Sequence, residues 1–347
     1  SNSQSHKSKV VIGQPPRGSI LILSLWSLCL LSMYAVILGL NVRQKLTLVK
    51  RLDERDRLHL IAEAGIKGAI IQLKKEGLKT SDSLNDSWSN NVGAFKDIGI
   101  GGGTFCISYD YTDEQSGLLK TRYGLMDEER KININTAEAN ILERLFKIAL
   151  GLDDIEAQEL AASIVDWRDG DSELSIPLGS AEDSYYRSLQ YAYEAKDADF
   201  ESLDELLLVK GMTNELFIKL KDYLTIYGTG RVNINTAAKA VLLALGFEED
   251  IVDAILSFRY GNSETTEAPH DGGTFEASSD IVSRLSQIYH LSPSELTQVS
   301  AISEQSLTTS SSNFMIKSAA RLHNRKNTLE AVCIVDRKGK VLYWSES

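Results

Sequence analysis

Cysteine, proline, histidine and positive charge are all scarce in this chain of 347 residues. Three cysteines cannot build a disulfide scaffold. Cys29 lies inside an apolar run, which leaves Cys106 and Cys333 as the soluble pair, and two buried free thiols are as ordinary there as a bridge. No proline falls between Pro16 and Pro177, so nothing in that stretch forces a long helix to break. The five histidines, His6, His59, His270, His290 and His323, show no metal-ligand spacing. No Gly-x-Ser-x-Gly elbow occurs, and Gly101-Gly102-Gly103 leads into strand-like text rather than a helix, unlike a phosphate-binding loop. With 37 Lys+Arg against 48 Asp+Glu the formal net charge is −11, which disfavours nucleic acid and anionic headgroups. No catalytic constellation is found, and the chain is not expected to be an enzyme.

What is present begins with an uncharged apolar run over residues 19–40. As a helix it spans roughly 33 Å at ~1.5 Å per residue, enough to cross a bilayer core of about 30 Å. A secretory signal needs small residues at a cleavage site, and Leu38-Gly39-Leu40-Asn41-Val42 is a poor one. Lys7, Lys9 and Arg17 favour a cytoplasmic N-terminus. Beyond the run, Leu46, Val49, Leu52, Leu58, Ile61, Gly65, Ile66, Ala69, Ile70 and Leu73 recur at three- and four-residue steps. That period predicts an amphipathic stalk helix over 41–78, with a mixed-charge collar at 51–57 and a stop near Gly77.

Downstream, the text passes from strand to helix and back. Residues 79–103 read as loop, 104–111 and 120–125 as a hairpin, and 130–135 as a third strand. Lys131-Ile-Asn-Ile-Asn-Thr-Ala137 then recurs as Arg231-Val-Asn-Ile-Asn-Thr-Ala237. Each copy is expected to end an extended piece and open a helix, capped by Asn135 or Thr136 and by Asn235 or Thr236. Asn135 with Glu138 fits a capping box, which Ala238 breaks in the second copy. Helical text continues at 153–167, 184–195, 203–210 and 215–227, so residues 133–260 read as all-helical. A polar loop at 261–280, two more helices and strands at 314–321, 328–335 and 340–344 complete the chain. The expected class is α+β: a long N-terminal helix, a mostly antiparallel sheet over 79–135 and 303–347, and a large helical domain inserted at 136–302.

One stretch carries ligand chemistry. Asp169-Gly170-Asp171-Ser172-Glu173 alternates carboxylates on a glycine-containing turn, and Glu182-Asp183 follows. Hard oxygen donors in a flexible loop suit calcium, although an ordinary solvated acidic loop reads the same. It is not an EF-hand, because Leu174 stands where the required glycine would be and Ser180 where the bidentate glutamate would be. A rival comes from Leu206-Leu207-Leu208-Val209-Lys210-Gly211-Met212, which has the look of a helix–hairpin–helix and so of a membrane-anchored periplasmic DNA-binding protein. Residues 133–260 hold 24 acidic against 11 basic side chains, and the basic face that phosphate neutralisation requires is missing.

Arg17-Gly18 before the apolar run, Ala62-Glu63-Ala64-Gly65 in the stalk, the paired Asn-x-Asn-Thr-Ala starts, and Asp166-Trp167-Arg168-Asp169 leading to Gly179-Ser180-Ala181-Glu182-Asp183-Ser184-Tyr185-Tyr186 are shared with a known family. On these residues the chain resembles minor pseudopilin K of bacterial type II secretion systems (general secretion pathway protein K). The resemblance implies a type IV pilin-like fold and a prepilin leader, residues 1–18. A prepilin peptidase would cut after Gly18 and methylate Ser19. It also implies residence in the inner membrane through residues 19–40, with the N-terminus cytoplasmic and the bulk periplasmic. Expected companions are the minor pseudopilins I and J and the inner-membrane secretion platform; no nucleic acid is expected. Leu23 stands at the fifth mature position, where most pilin-like subunits carry a glutamate, and its lack of charge implies a place at the pseudopilus tip. Calcium in the helical domain is implied too, with Asp171, Glu182 and Asp183 as first candidate ligands and Asp169 and Glu173 after them.

Overall fold

Helix α1 (Arg17–Lys75) runs unbroken for 59 residues, as the missing proline allows. The computed structural model describes residues 17–77, 80–114, 117–261, 272–323 and 327–347. The leader residues 1–16, the tip of the predicted hairpin at 115–116, the loop 262–271 and the turn 324–326 lie outside the described residues. The chain divides between Arg57 and Leu58 into two units. In the first, the apolar side chains from Ile20 to Leu52 are all exposed, including Leu23 and the predicted stalk-face residues Leu46, Val49 and Leu52. Among the described helices this is the one long and apolar enough to cross a membrane. Its serines need no water: Ser24, Ser27 and Ser32 donate their hydroxyls to the carbonyls of Leu21, Leu23 and Leu28 at 2.7–2.9 Å.

In the second unit the apolar period of α1 is used for packing. Leu58, Ile61, Ala62, Ile66, Ala69 and Leu73 are buried against a sheet. After α1 come α2 (Val92–Phe95), β1 (Ile98–Ile100), β2 (Gly103–Ile107), β3 (Tyr109–Thr112), β4 (Leu119–Arg122) and β5 (Met126–Asp127). The insert follows as β6 (Ile132–Asn133), α3 (Ala139–Leu150), α4 (Asp154–Arg168), α5 (Asp183–Tyr186), α6 (Asn214–Leu220), β7 (Leu224–Thr225), β8 (Val232–Asn233), α7 (Lys239–Leu245), α8 (Glu249–Tyr260), α9 (Ile281–Ile288) and α10 (Pro293–Ser306). The chain then returns through β9 (Leu307–Thr308), β10 (Asn313–Leu322), β11 (Thr328–Asp336) and β12 (Val341–Glu346). The main sheet is antiparallel in the order β1-β2-β10-β11-β12, with β5 also on β10. Helix α1 approaches this sheet so closely at Gly65 that a Cβ there would lie 2.6 Å from Ser318 Oγ and 2.9 Å from the Phe105 ring.

Several local expectations are corrected. The predicted strand 104–111 breaks at Ser108: β2 joins the main sheet while β3 pairs with β4 as a separate hairpin. The loop at 79–103 contains β1, which pairs with β2. The predicted helix 184–195 is the single turn α5, residues 203–208 are 3-10 helix, and the predicted helix 215–227 stops at Leu220. The insert is therefore not purely helical: β6 pairs with β7 and β8 with β9, both parallel. The thiols of Cys106 and Cys333 are free. They sit on strands either side of β10, opposite Ala319 and Ile316. Two strand spacings of about 4.8 Å exceed the Cα separation a disulfide tolerates.

The predicted caps do not form either, and what replaces them explains the repeat. Helices α3 and α7 begin at Ala139 and Lys239 with no side-chain cap from their own motif. Asn135 instead clamps the backbone of Phe200, accepting from its N–H at 2.8 Å and donating to its carbonyl at 3.0 Å. Asn235 clamps Phe275 with the same two distances. An arginine near the end of each following helix returns to the motif: Arg168 donates to the carbonyl of Ala137 and Arg259 to that of Ala237. The amide of Lys239 donates to the carboxylate of Glu114, delivered by the β3–β4 hairpin.

Where the insert meets the sheet, Asp82, Asp127 and Glu129 are buried, as is Glu128, which pairs with Lys131 and Thr225 instead. Asp127 Oδ2 accepts from Asn233 Nδ2 (3.1 Å), Thr236 Oγ1 (2.5 Å) and Ser311 Oγ (2.7 Å). Glu129 accepts from the Ser312 amide and hydroxyl and from the Asn313 amide at 2.7–3.1 Å. Asp82 accepts the Ser311 amide and pairs with Arg337. Burial pushes the carboxyls of Asp82, Asp127 and Glu129 above their ordinary range, and burial together with the neighbouring Asp127 charge takes Glu129 to about 8.

Candidate metal centre in the helical insert

Helix α4 opens on Asp153, whose carboxylate accepts the Glu156 amide at 2.9 Å, and ends at Arg168. Asp169 is its C-terminal cap, extended in backbone, so the chain leaves the helix with this carboxylate turned into the following loop. Asp171 Oδ1 accepts the Glu173 amide at 2.8 Å, closing an Asx turn. One turn earlier on α4, buried Asp166 accepts the Ser175 amide and holds the returning loop. Residues 176–180 close on themselves: the Gly179 and Ser180 amides donate to the Ile176 carbonyl at 3.1 Å, and Ser180 Oγ accepts the Ile176 amide at 3.0 Å. Glu182 follows as the residue before α5, buried, with no role as a side-chain cap.

This path gathers Asp169, Asp171 and Glu182, with one carboxylate oxygen of each within 4.8 Å of the others. Asp169 Oδ1 and Glu182 Oε1 are buried without a hydrogen-bond partner. Burial first, then the charges of Asp171 and Asp166, raise the Asp169 carboxyl. Burial, then Asp166, Asp169, Asp197 and Asp171, take Glu182 to about 7. Oxygens that lack donors and repel one another are what a hard cation resolves, and the all-carboxylate set, without histidine or cysteine, fits calcium rather than zinc.

Two candidate ligands stand apart from this group. Asp183 accepts the Ala195 amide at 2.9 Å and pairs with Arg187 at 2.8 Å, so its oxygens are already engaged. Glu173 is exposed on the loop. Asp166 and Asp197 belong to the surroundings; the sequence marked Asp166 in the shared Asp166-Trp167-Arg168-Asp169 segment, but neither residue as a ligand. Asp197 arrives because its amide donates to the Trp167 carbonyl at 3.1 Å with φ at 51°, a contact across about thirty residues that no local period announces. Of the other candidates, Gly18 and Ser19 lie in the first turn of α1, and Leu23 is exposed on it.

Residues 119–229, which hold this centre, match the family described as "Type II secretion system (T2SS), protein K". The type II secretion system protein K of Aeromonas hydrophila is 37% identical over 101 residues, covering 28% of this chain and 30% of that protein. The Pseudomonas aeruginosa protein of the same name is 27% identical over 231 residues, 62% of this chain and 66% of its own length. The chain thus spans less than two thirds of either relative. In three dimensions it resembles a chain from the crystal structure of the GspK-GspI-GspJ complex of the enterotoxigenic Escherichia coli type 2 secretion system, with a TM-score of 0.59, 17% identity, and coverage of 86% of this chain and 98% of that one. The centre of Asp169, Asp171 and Glu182 lies inside the segment that matches this family, and the fold agrees with that chain of the complex over most of its length.

Proposed function

We propose that the protein is a minor pseudopilin, the tip subunit that initiates or caps a type II secretion pseudopilus for export of folded proteins across the outer membrane. The observation that carries this is α1. Its first part is apolar and exposed along its whole length, and from Leu58 onward it packs on an antiparallel sheet interrupted by the family's helical insert. Such a helix serves first as an inner-membrane anchor, with the N-terminus cytoplasmic, and then as a strand of a helical bundle. Leu23 gives the bundle no carboxylate to pair with a neighbour's terminal ammonium, which suits a subunit with none above it. Its partners are the minor pseudopilins I and J, the secretion platform and the prepilin peptidase. Its work is assembly rather than catalysis.

The test is processing. N-terminal sequencing of the mature protein is expected to begin at a methylated Ser19, and Gly18→Ala to retain the leader. An uncut chain, or a cut near Asn41, overturns the assignment.

Calcium is the cation we assign to Asp169, Asp171 and Glu182, with Asp183 and Glu173 outside the group. When bound it supplies the positive charge that lets buried carboxylates stay ionised together. The chain's own part is to hold the two loops, 169–173 and 176–182, in register. Saturating calcium is expected to raise the melting temperature; at about 100 times Kd the gain is about 2.7 kcal/mol, several degrees for a domain of this size. Asp169→Asn with Glu182→Gln should remove that rise, and a calorimetric titration of the parent without heat would reject the metal.

A further inference from the structure

Lys210 has no carboxylate partner among the described residues. Its ammonium donates to three successive backbone carbonyls, those of Leu178 (3.4 Å), Gly179 (2.9 Å) and Ser180 (3.2 Å), and lies 5.2 Å from the centre of the Tyr185 ring. Its own amide donates to Tyr186 Oη at 3.3 Å. Glu182 sits between these grips, with residues 178–180 before it and Tyr185 and Tyr186 after it. The base of the lysine is fixed: Val209 is buried, the Met212 amide bonds to the Val209 carbonyl at 3.1 Å, and Tyr193 Oη donates to the Leu208 carbonyl at 2.8 Å.

The loop on the other side is bent to meet it. Leu178 is 94% exposed, so no packing holds it, yet its φ is 68°, the left-handed conformation that a leucine adopts only under constraint. Two constraints are on hand: the turn that residues 176–180 close on themselves, and the convergence of the 178–180 carbonyls on one ammonium, which has three donors to offer.

We propose that Lys210 is a positioning residue for the metal centre: by gathering the carbonyls of Leu178, Gly179 and Ser180 it sets where Glu182 stands relative to Asp169 and Asp171. The calcium arm of the test rests on the assignment above; the loop arm does not. A further property separates positioning from simple electrostatics. Removing a positive charge near a carboxylate cluster would by itself tighten calcium binding, whereas releasing the loop weakens it. The two effects have opposite signs.

The experiment compares the full chain in detergent with Lys210→Met, which keeps the aliphatic stem, and with Lys210→Arg, which keeps the charge and several donors. In the calcium-free state the Gly179 and Ser180 amides of Lys210→Met are expected to exchange about tenfold faster. Its calcium Kd by calorimetry is expected to weaken about tenfold, the scale of losing a group that orients a metal ligand. Lys210→Arg should recover most of both, which also shows that neither change is misfolding. Unchanged exchange, or a Kd that stays equal or tightens in Lys210→Met, overturns the proposal. Should the parent take up no calcium, the metal assignment falls, and the exchange comparison alone decides the role of Lys210.

Discussion

Between pH 5 and pH 8 the protein should lose stability, and Glu129 should account for much of the loss. Its carboxyl is held at about 8 against an ordinary value of 4.5, so across this window the folded state keeps a proton that the unfolded chain has released. The unfolded state binds fewer protons, and stability falls as pH rises from about 4.5 through about 8. Every pH unit over which the two states differ by one proton costs about 1.4 kcal/mol, which bounds the effect at roughly 5 kcal/mol and the change in melting temperature at roughly 10 °C. Asp127 and Asp82 are raised by burial and act in the same direction. The lowered carboxyls, half-buried Glu63 and Glu295 and exposed Asp154, act below this window. Glu129→Gln should flatten the profile. It should also start lower at pH 5, because an amide nitrogen cannot accept the Asn313 amide that Glu129 Oε2 now accepts. Both proteins are compared at one fixed calcium concentration, since Glu182, raised to about 7, adds a slope of its own. Thermal melts of parent and variant at five pH values decide it, and identical slopes would end this account.

The second large effect is expected at Asn235. Its amide satisfies both backbone groups of buried Phe275, and nothing else in the described structure replaces those bonds. Asn235→Ala leaves a buried N–H and C=O without partners, at about 1–3 kcal/mol each. The matched change Asn135→Ala strands the Phe200 backbone, but Asn135 is partly exposed and water can take over. Asn235→Ala is therefore expected to cost about 2–5 kcal/mol and Asn135→Ala about half as much, read from urea midpoints of the two variants. Equal costs would mean that the duplicated clamps are equivalent despite their different burial.

These clamps also mark how far the sequence could be followed. Long elements with a clear period were legible: α1 and its end near Gly77, α4 after Asp153, the start of α10 at Ser292-Pro293, and β10, β11 and β12. So was the acidic loop, of which Asp169, Asp171 and Glu182 converge. The extended pieces that became β6 and β8 were read as such, but β1 and the two-residue partners β7 and β9, too short to carry a period, were missed. The Asn-Thr-Ala motifs looked like local caps because asparagine and threonine cap helices so often. Their partners lie tens of residues away, at Phe200 and Phe275, and no local pattern encodes such a pairing. Lys210 was seen only as one letter of a hairpin.

The position of β10 has a consequence for how the chain acquires its fold. This central strand pairs with β2, Ser318 opposite Ile107, across roughly 200 intervening residues. An unstructured connection of that length would carry a large closure entropy and a slow search. The insert removes most of that cost if it forms first, because parallel pairing of β8 with β9 delivers the chain to Asn313 beside the Asp127 and Glu129 that precede the insert. In a chain made from its N-terminus, β1 and β2 must then wait beside α1 with a bare edge until the insert is complete. On that order the helical domain acts as an internal clasp, and the sheet would be the last part of the protein to close.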